Sequence, residues 1–458
     1  MVNNYDVIIV GGGPAGIFTA LELVKGSNLD IVILEKGRDI TDRECPMKSK
    51  GTNCLKCNNC SIVCGWGGAG SFSDGKLTLS SEIGGNLDKY IGQERLEELI
   101  NYADDIYCEF GAPDKVYGPS DEAAQEIHNQ ATMAELKFIP FQIRHLGTGY
   151  SKEVLTKMKE YLVKNGVEVR TGVKAEEILT VDSKAIGVKT NQGEEIKSEI
   201  VVVAPGRENS EWLLKEAQNL GIQTTVNPVD IGVRVELPAA IMEELTDVLY
   251  ESKFIHYTPT FDDKVRTFCM CPNGEVVNEN NNGLITVNGH SHATNKSNNT
   301  NFALLVSKTF TEPFKEPITY GQNIANLANL LGGRVLVQRL GDFLDGRRST
   351  EERIERGLVE PTLKDATPGD LSLVLPYRHL VAIDEMLQAL DEICPGVYSR
   401  HTLLYGVEVK FYSSRLEVKD NLETKVDNLY VAGDGAGITR GLLQASVSGV
   451  VIGQDIIK

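Results

Sequence analysis

The residues best suited to chemistry stand near the two ends of the chain. Residues 5–16, YDVIIVGGGPAG, run from an apolar stretch into Gly11-x-Gly13-x-x-Gly16 and on into a helix-forming segment that opens with Pro14 and Ala15. In this pattern the first glycine permits a tight turn. The second lets the backbone approach a pyrophosphate, and the third lets helix pack closely on strand. The helix start presents unpaired N–H groups and the positive end of its dipole to phosphates. Nineteen residues past Gly16 the apolar run IVILE ends on Glu35, followed by Lys36. A carboxylate there accepts from ribose hydroxyls and repels a 2′-phosphate. Taken alone, this half predicts a dinucleotide site, for NAD or FAD.

The far end discriminates between them. NLYVAGDGAG sets Gly433 and Asp434 after a buried strand, and GITRGLLQA begins a closing helix at Gly441 and Leu442. An aspartate so placed accepts from a ribityl chain. The helix N–H groups face the flavin N1–C2=O edge, where negative charge develops on reduction. NAD enzymes need no such second arm, so the expected cofactor is FAD. Between the arms, EEIKSEIVVVAPGREN (194–209) is a strand that returns to the cofactor through Ala204 and Gly206, and RTGVKAEEI (170–178) sets Val173 beside the adenine. The glycine-rich run 65–72 brings Gly68, Ala69, Gly70 and Ser71 against the pyrophosphate and isoalloxazine.

Five of the nine cysteines lie between 45 and 64. Cys54-x2-Cys57-x2-Cys60-x3-Cys64 has the spacing of a ferredoxin cluster motif. Gly65 follows Cys64 where such motifs carry proline, and Cys45-Pro46 is the nearby Cys-Pro, so the fourth ligand is Cys64 or Cys45. Structural zinc could use the same thiolates, and in a reducing cytoplasm the thiols could stay unliganded. A redox disulfide of Cys-x4-Cys type is not present locally, nor is a second nucleotide fingerprint. The expectation is a [4Fe–4S] cluster on the 45–64 loop, in electron-transfer reach of the flavin.

Flavin chemistry also needs a group that gives or takes a proton. In GVEVKFYSSR, Glu408, Lys410 and Tyr412 alternate onto one strand face, which is expected to point at the active site. His290, with His292, follows a strand and is a further donor candidate, although loop histidines are commonly solvated. Arg347 and Arg348 in DGRRST could clamp a carboxylate or phosphate, a salt-bridged surface being the ordinary alternative. Cys269 and Cys271 in VRTFCMC read as core cysteines.

Positioning these groups calls for an α/β fold. It would be a discontinuous Rossmann-like FAD-binding domain with an inserted α+β substrate or cap domain. The expected segments are 1–90 (first FAD part, with the Cys-rich loop 45–64), 91–144 (a helical insertion), 145–225 (second FAD part), 226–403 (the cap) and 404–458 (third FAD part). VDIGVRVELP opens the cap with the alternation of a half-buried strand. Apolar content of 41% and charged content of 24% over 458 residues fit a soluble globular protein. A net charge of −18 argues against a nucleic-acid partner. No apolar run reaches membrane-spanning length, and the N-terminus lacks a basic leader, so no membrane partner and a cytoplasmic location are expected.

Six stretches carry a resemblance: GGAGSFSDGKLTL (67–79), RTFCMCPNGEVV (266–277), TVNGHSH (286–292), QRLGDFLDGRRST (338–350), LLYGVEVKFYS (403–413) and YVAGDGAGITRGLLQAS (430–446). On these, over nearly its whole length, the chain resembles the uncharacterised FAD-dependent dehydrogenases, a bacterial family of the glutathione-reductase-type FAD superfamily. Its cysteines mark a subgroup. The resemblance implies FAD and oxidoreductase chemistry, with no settled substrate. The expected function is thus an FAD-dependent oxidoreductase acting on a small molecule by hydride transfer. Electrons would pass through the cluster, a ferredoxin-like carrier or transient NAD(P)H. The alternative is a non-catalytic flavin-binding redox sensor or assembly protein whose cysteines hold structural zinc.

Overall fold

The computed structural model describes residues 4–46, 57, 59–72, 75–147, 150–281, 283–291, 296–310, 314 and 316–458. The chain forms two compact units, the first from Met1–Val116, Ile143–Asn227 and Tyr412–Lys458, the second from Tyr117–Gln142 and Pro228–Phe411. Among the described residues no helix is long and apolar enough to cross a membrane.

In the first unit, strand Asn4–Val10 lies between parallel partners Ile31–Glu35 and Glu195–Val203. Glu168–Thr171 extends the sheet on one side. On the other, Leu429–Val431 pairs in parallel with the end of Glu195–Val203, and Lys184–Thr190 pairs antiparallel with its beginning. The runs VIIV and IVIL carry no alternation because both faces are covered, and Val7–Val10 and Ile31–Leu34 are all buried. Gly11, Lys36, Ala204 and Ala432 follow the C-terminal ends of these parallel strands, the edge where such sheets bind ligands.

Helices from opposite ends of the chain lie side by side. A Cβ at Gly449, on helix Leu442–Ile456, would sit 2.1 Å from the Ala15 carbonyl oxygen on helix Pro14–Gly26, and one at Gly453 would sit 2.5 Å from Glu22 Cβ. Only glycine allows that approach. The expected helical insertion 91–144 is not a unit of its own. Gln93–Glu109 belongs to the first unit, where the Tyr107 hydroxyl meets Ser446 Oγ at 3.0 Å. Asp121–Met133 belongs to the second, with Ile127 and Ala131 buried in its core. Each amphipathic helix buried its apolar stripe against a different core.

The second unit is built on an eight-stranded sheet in the order Thr367–Pro368, Leu336–Arg339, Leu403–Lys410, Val229–Pro238, Asn299–Lys308, Lys264–Cys271, Phe254–Tyr257, Lys137–Phe138. All its pairings are antiparallel except the first. Central strand Val229–Pro238 departs from the half-buried expectation, because nine of its ten residues are buried. Val229, Ile231, Val233, Val235 and Leu237 enter the apolar core with Ala382, Ile383, Met386 and Leu387 of helix Tyr377–Ile393. The alternate side chains are polar, buried and paired. Asp230 accepts from Arg266 at 2.6 Å, Arg234 donates to Glu408 at 2.8 Å, and Glu236 accepts from the Tyr405 hydroxyl at 2.5 Å.

Among the described residues of this unit, His379 is a buried polar side chain with no partner at all on its ring. His379 is 2% exposed and neither ring nitrogen finds a hydrogen bond among the described residues. Burial, with Lys308 second, pulls its pKa down to about 4. The folded imidazole therefore stays neutral while an unfolded one, near 6.5, takes a proton. Stability is intact above that range and falls as pH drops from about 6.5 toward 4, by up to about 3 kcal/mol. His379→Leu should flatten this acid slope; urea midpoints at pH 7 and pH 4.5 would show an unchanged slope if the burial argument is wrong. Gly449→Ala should cost at least ~2 kcal/mol, since backbone on both helices must shift. A thermal midpoint equal to the unaltered protein would remove the close approach of the terminal helices from the account.

Candidate active site

The glycines at the sheet edge of the first unit divide into two kinds. A Cβ at Gly11 would lie 2.1 Å from the Ala204 carbonyl oxygen, and one at Gly16 would lie 2.0 Å from that of Gly11, so internal packing explains both. Gly13 is different. Its backbone is extended, with φ −87° and ψ −178°, and a Cβ there would meet nothing within 4 Å. Among the described residues neither strain nor packing calls for glycine there, and such a bare surface has room for the close approach of a pyrophosphate. Open space also adjoins Gly206 and Gly441.

Two helix starts serve this surface. No side chain caps the helix at Pro14 or the one at Leu442. In the first, Ala15 and Gly16 keep N–H groups with no carbonyl partner inside the helix. The neighbouring loops lean on one another. Gly67 N–H donates to Gly12 O at 2.7 Å. A Cβ at Gly68 would lie 3.4 Å from Gly13 Cα, one at Gly70 2.5 Å from Leu442 Cδ2, and one at Gly433 3.3 Å from Ala15 Cβ. Gly68–Phe72 forms a single 3-10 turn, so Ala69 comes with it. Ser71 is turned inward, its hydroxyl donating to Trp66 O at 3.0 Å.

Glu35 does more than its sequence position suggested. One carboxylate oxygen accepts from Gly12 N–H at 2.9 Å, the other from Gly37 N–H at 2.7 Å and Gly65 N–H at 3.0 Å. It fastens the fingerprint to the glycine loop and has lone-pair capacity left for one more donor. Val173 N–H donates to the Glu35 carbonyl at 3.0 Å, which fixes Val173 beside that strand end. Lys36 is turned to Asn209 Oδ1 at 2.9 Å and to Glu208. Asp434 accepts from the Thr439 hydroxyl at 2.9 Å and Gly441 N–H at 3.2 Å, with Arg207 at 3.7 Å. Burial holds its carboxyl above the usual range, Arg207 opposing.

Only part of the expected cysteine cluster lies within the described residues. Cys54 lies outside the described residues, as does His292. Among the described residues no group of three or more His, Cys, Asp or Glu is disposed to hold a metal. Cys57 is exposed, and Cys45 and Cys60 are half-buried. Buried Cys64 donates to Glu208 Oε2 at 2.5 Å, and burial followed by that hydrogen bond pushes its thiol up to about 12. A cluster ligand must be a thiolate, so this setting does not fit one. The loop is held instead by Arg43, which donates to Ser61 O at 2.9 Å, Ile62 O at 2.9 Å and Trp66 O at 2.6 Å. Sequence reasoning missed Arg43. It belongs to no motif, and its place between the fingerprint and the cysteines was the only signal.

In the second unit, Glu408 is fully buried and cannot face a substrate as expected. It accepts from Arg234 Nε at 2.8 Å and Nη2 at 3.1 Å. Burial opposes its charge, yet Arg234 and Lys410 hold its carboxyl below the usual range. Lys410 Nζ lies 3.2 Å from Glu408 and 3.5 Å from Glu279, which outweigh burial and keep the ammonium charged. Arg234 was also missed, because an arginine in an alternating strand reads as solvent-facing. Gly289 makes room for it; a Cβ there would lie 2.0 Å from Arg234 Nη1. His290 ends that hairpin strand opposite Glu275. Tyr412 lies past the end of strand Leu403–Lys410, in the first unit, with the Arg440 guanidinium 3.6 Å from its ring centre. Arg347 is held by Asp342 at 2.9 Å and Asp345 at 3.0 Å, a salt-bridged surface and not a clamp.

Comparison with known proteins adds the following. Residues 228–411 match the family model described as FAD-dependent protein, C-terminal domain-like, and residues 122–238 match that of the pyridine nucleotide-disulphide oxidoreductases. An uncharacterized protein of Clostridium beijerinckii is 30% identical over 485 residues, which span 98% of this chain and 80% of the relative. Two solved structures are similar in outline. A 3-ketosteroid dehydrogenase of Rhodococcus jostii RHA1 is 13% identical with TM-score 0.47, covering 100% of this chain and 97% of its own. A glycine oxidase of Geobacillus kaustophilus is 13% identical with TM-score 0.41, covering 99% and 95%. At such scores nothing about the chemistry of this chain follows from them.

Gly13 offers a clean separation of folding from binding. Gly13→Ala should leave the urea midpoint within about 0.5 kcal/mol of the unaltered protein, since the added methyl meets nothing. FAD uptake by the apoprotein, followed by quenching of flavin fluorescence, should weaken at least tenfold. Unchanged uptake would mean that the open space at Gly13 is not where the pyrophosphate lies.

Proposed function

This chain belongs to the family of uncharacterised FAD-dependent oxidoreductases, and on that premise we propose that its first unit holds FAD and that it oxidises or reduces an anionic small molecule by hydride transfer. The observation that carries the reading is the bare backbone at Gly13, at the start of a helix that no side chain caps. When bound, FAD supplies the two-electron chemistry. The rest falls to the chain. Gly13 and the N–H groups of Ala15 and Gly16 receive the pyrophosphate, and Glu35 the ribose. Asp434 takes a ribityl hydroxyl, and the helix start at Leu442 takes the flavin carbonyl edge.

Substrate handling rests on charge. In the second unit, Lys410 offers a cation that Glu408 and Glu279 keep protonated, suited to the anionic group of a substrate and not to proton abstraction. Arg234 and Glu408 act through it, holding the ammonium in one place. In the first unit, Tyr412 beneath Arg440 is the candidate to exchange a proton. A soluble carrier, NAD(P)H or a ferredoxin-like protein, closes the cycle. Cys64 is tied to Glu208, so no electron path is drawn through an iron–sulfur cluster.

Protein purified without oxygen should be yellow, with about one FAD per chain, and should turn over repeatedly on a member of a panel of amino, 2-hydroxy and 2-oxo acids with a dye as electron partner. Lys410→Ala should lower kcat/KM on that substrate about 100-fold while leaving bound FAD unchanged. A colourless protein that takes up no FAD would end the reading. Flavin that is reduced once and never cycles would favour the sensor, and four irons with sulfide per chain would restore the cluster.

A further inference from the structure

The first unit contains a cavity that the flavin reading leaves unused. It has a volume of about 330 Å³ and is lined by Lys89, Tyr90, Gln223, Thr225, Arg415 and Glu417 among others. Its wall borders the C-terminal arm. A Cβ at Gly437 would lie 2.7 Å from Arg415 Cα, and Gly85 bridges to Thr439.

Arg415 Nε donates to Thr225 Oγ1 at 3.3 Å. Its two terminal nitrogens, and the Lys89 ammonium, have no ion-pair or hydrogen-bond partner among the described residues. Glu417 pairs with neither. Single unpaired cations on a convex surface are ordinary. Two of them on one concave wall, beside a half-buried aromatic ring and side-chain hydroxyl and amide groups, make a receptor for an anion with a flat apolar part. Burial pushes the Tyr90 phenol up, and Arg415, which lines the same cavity, works the other way.

Size narrows the ligand. Clefts for small molecules run from about 300 to 1,000 Å³, and this one is at the lower end. It suits one nucleotide and is short for two. We propose that this cavity binds a mononucleotide, with Arg415 and Lys89 on the phosphate, Gln223 and Thr225 on the sugar, and the base against Tyr90. The site is separate from the glycine cradle, so it does not depend on the reaction proposed above.

Calorimetric titration of the FAD-loaded protein with AMP, adenosine and inorganic phosphate tests this. AMP should bind more tightly than either fragment. Arg415→Gln and Lys89→Gln should each weaken AMP about tenfold, and Tyr90→Leu should weaken AMP and adenosine but not phosphate, the visible spectrum of bound FAD staying constant throughout. Lys89 is exposed, so its variant tests the idea even where another fails to fold. Four outcomes would overturn the proposal. They are no AMP binding, equal affinity in both cation variants, AMP binding only after FAD is stripped, or phosphate binding as tightly as AMP.

Discussion

Everything in the first unit depends on two helices from opposite ends of the chain touching backbone to backbone. Gly449 lies against the Ala15 carbonyl, and Gly453 against Glu22. This contact brings the Gly433–Leu442 segment beside the N-terminal fingerprint, although more than four hundred residues separate them. Without it, Gly13 and Asp434 would belong to separate loops. Side chains of ordinary size at these positions would hold the helices apart and open the cradle. The close fit therefore serves geometry before it serves stability.

A second constraint is how the loops at the sheet edge are fastened. Glu35 accepts three backbone N–H groups from three segments, and Arg43 donates to three carbonyls in the cysteine loop. Both are buried charges. A buried carboxylate with fixed N–H donors, or a guanidinium with fixed carbonyls, loses little on leaving water because its bonds are replaced. The loops at the sheet edge are thus preorganised by ionic clamps. The tie between Cys64 and Glu208 belongs to the same set, and it gives the cysteine loop a structural anchor where a cluster ligand was expected.

The second unit solves a different problem. Its central strand is buried on both sides, one apolar and one polar. The polar side is tolerable only because each charge meets a partner, Arg234 with Glu408, Asp230 with Arg266, and Glu236 with the Tyr405 hydroxyl and the Asn299 amide. Such pairs add little net stability, but breaking one leaves an uncompensated buried charge. They fix Lys410 in place. A cation held by two carboxylates is a poor base and a good anchor, which is why charge recognition is the more natural role for it.

The sequence by itself determined the parallel sheet and the glycine fingerprint, because those rest on local patterns: unbroken apolar strands, glycine spacing, and an acid at a strand end. It also marked 91–144 as helical, where the helices Gln93–Glu109 and Asp121–Met133 lie. It did not say that these two helices pack in different units, since a stripe shows that a face is buried and not what covers it. Nor did it distinguish Glu408 as a buried ion-pair partner from a substrate-facing acid. Strand alternation puts Glu408 and Lys410 on one side but is silent on whether that side meets solvent, and Arg234 lies some 170 residues away. Tertiary structure alone decided those pairings, along with the Arg43 clamp and the turn of Cys64 toward Glu208. The reason is common to all of them. Periodicity and spacing are properties of neighbours in the chain, whereas the partner of a buried charge is set by which distant strands the fold lays side by side.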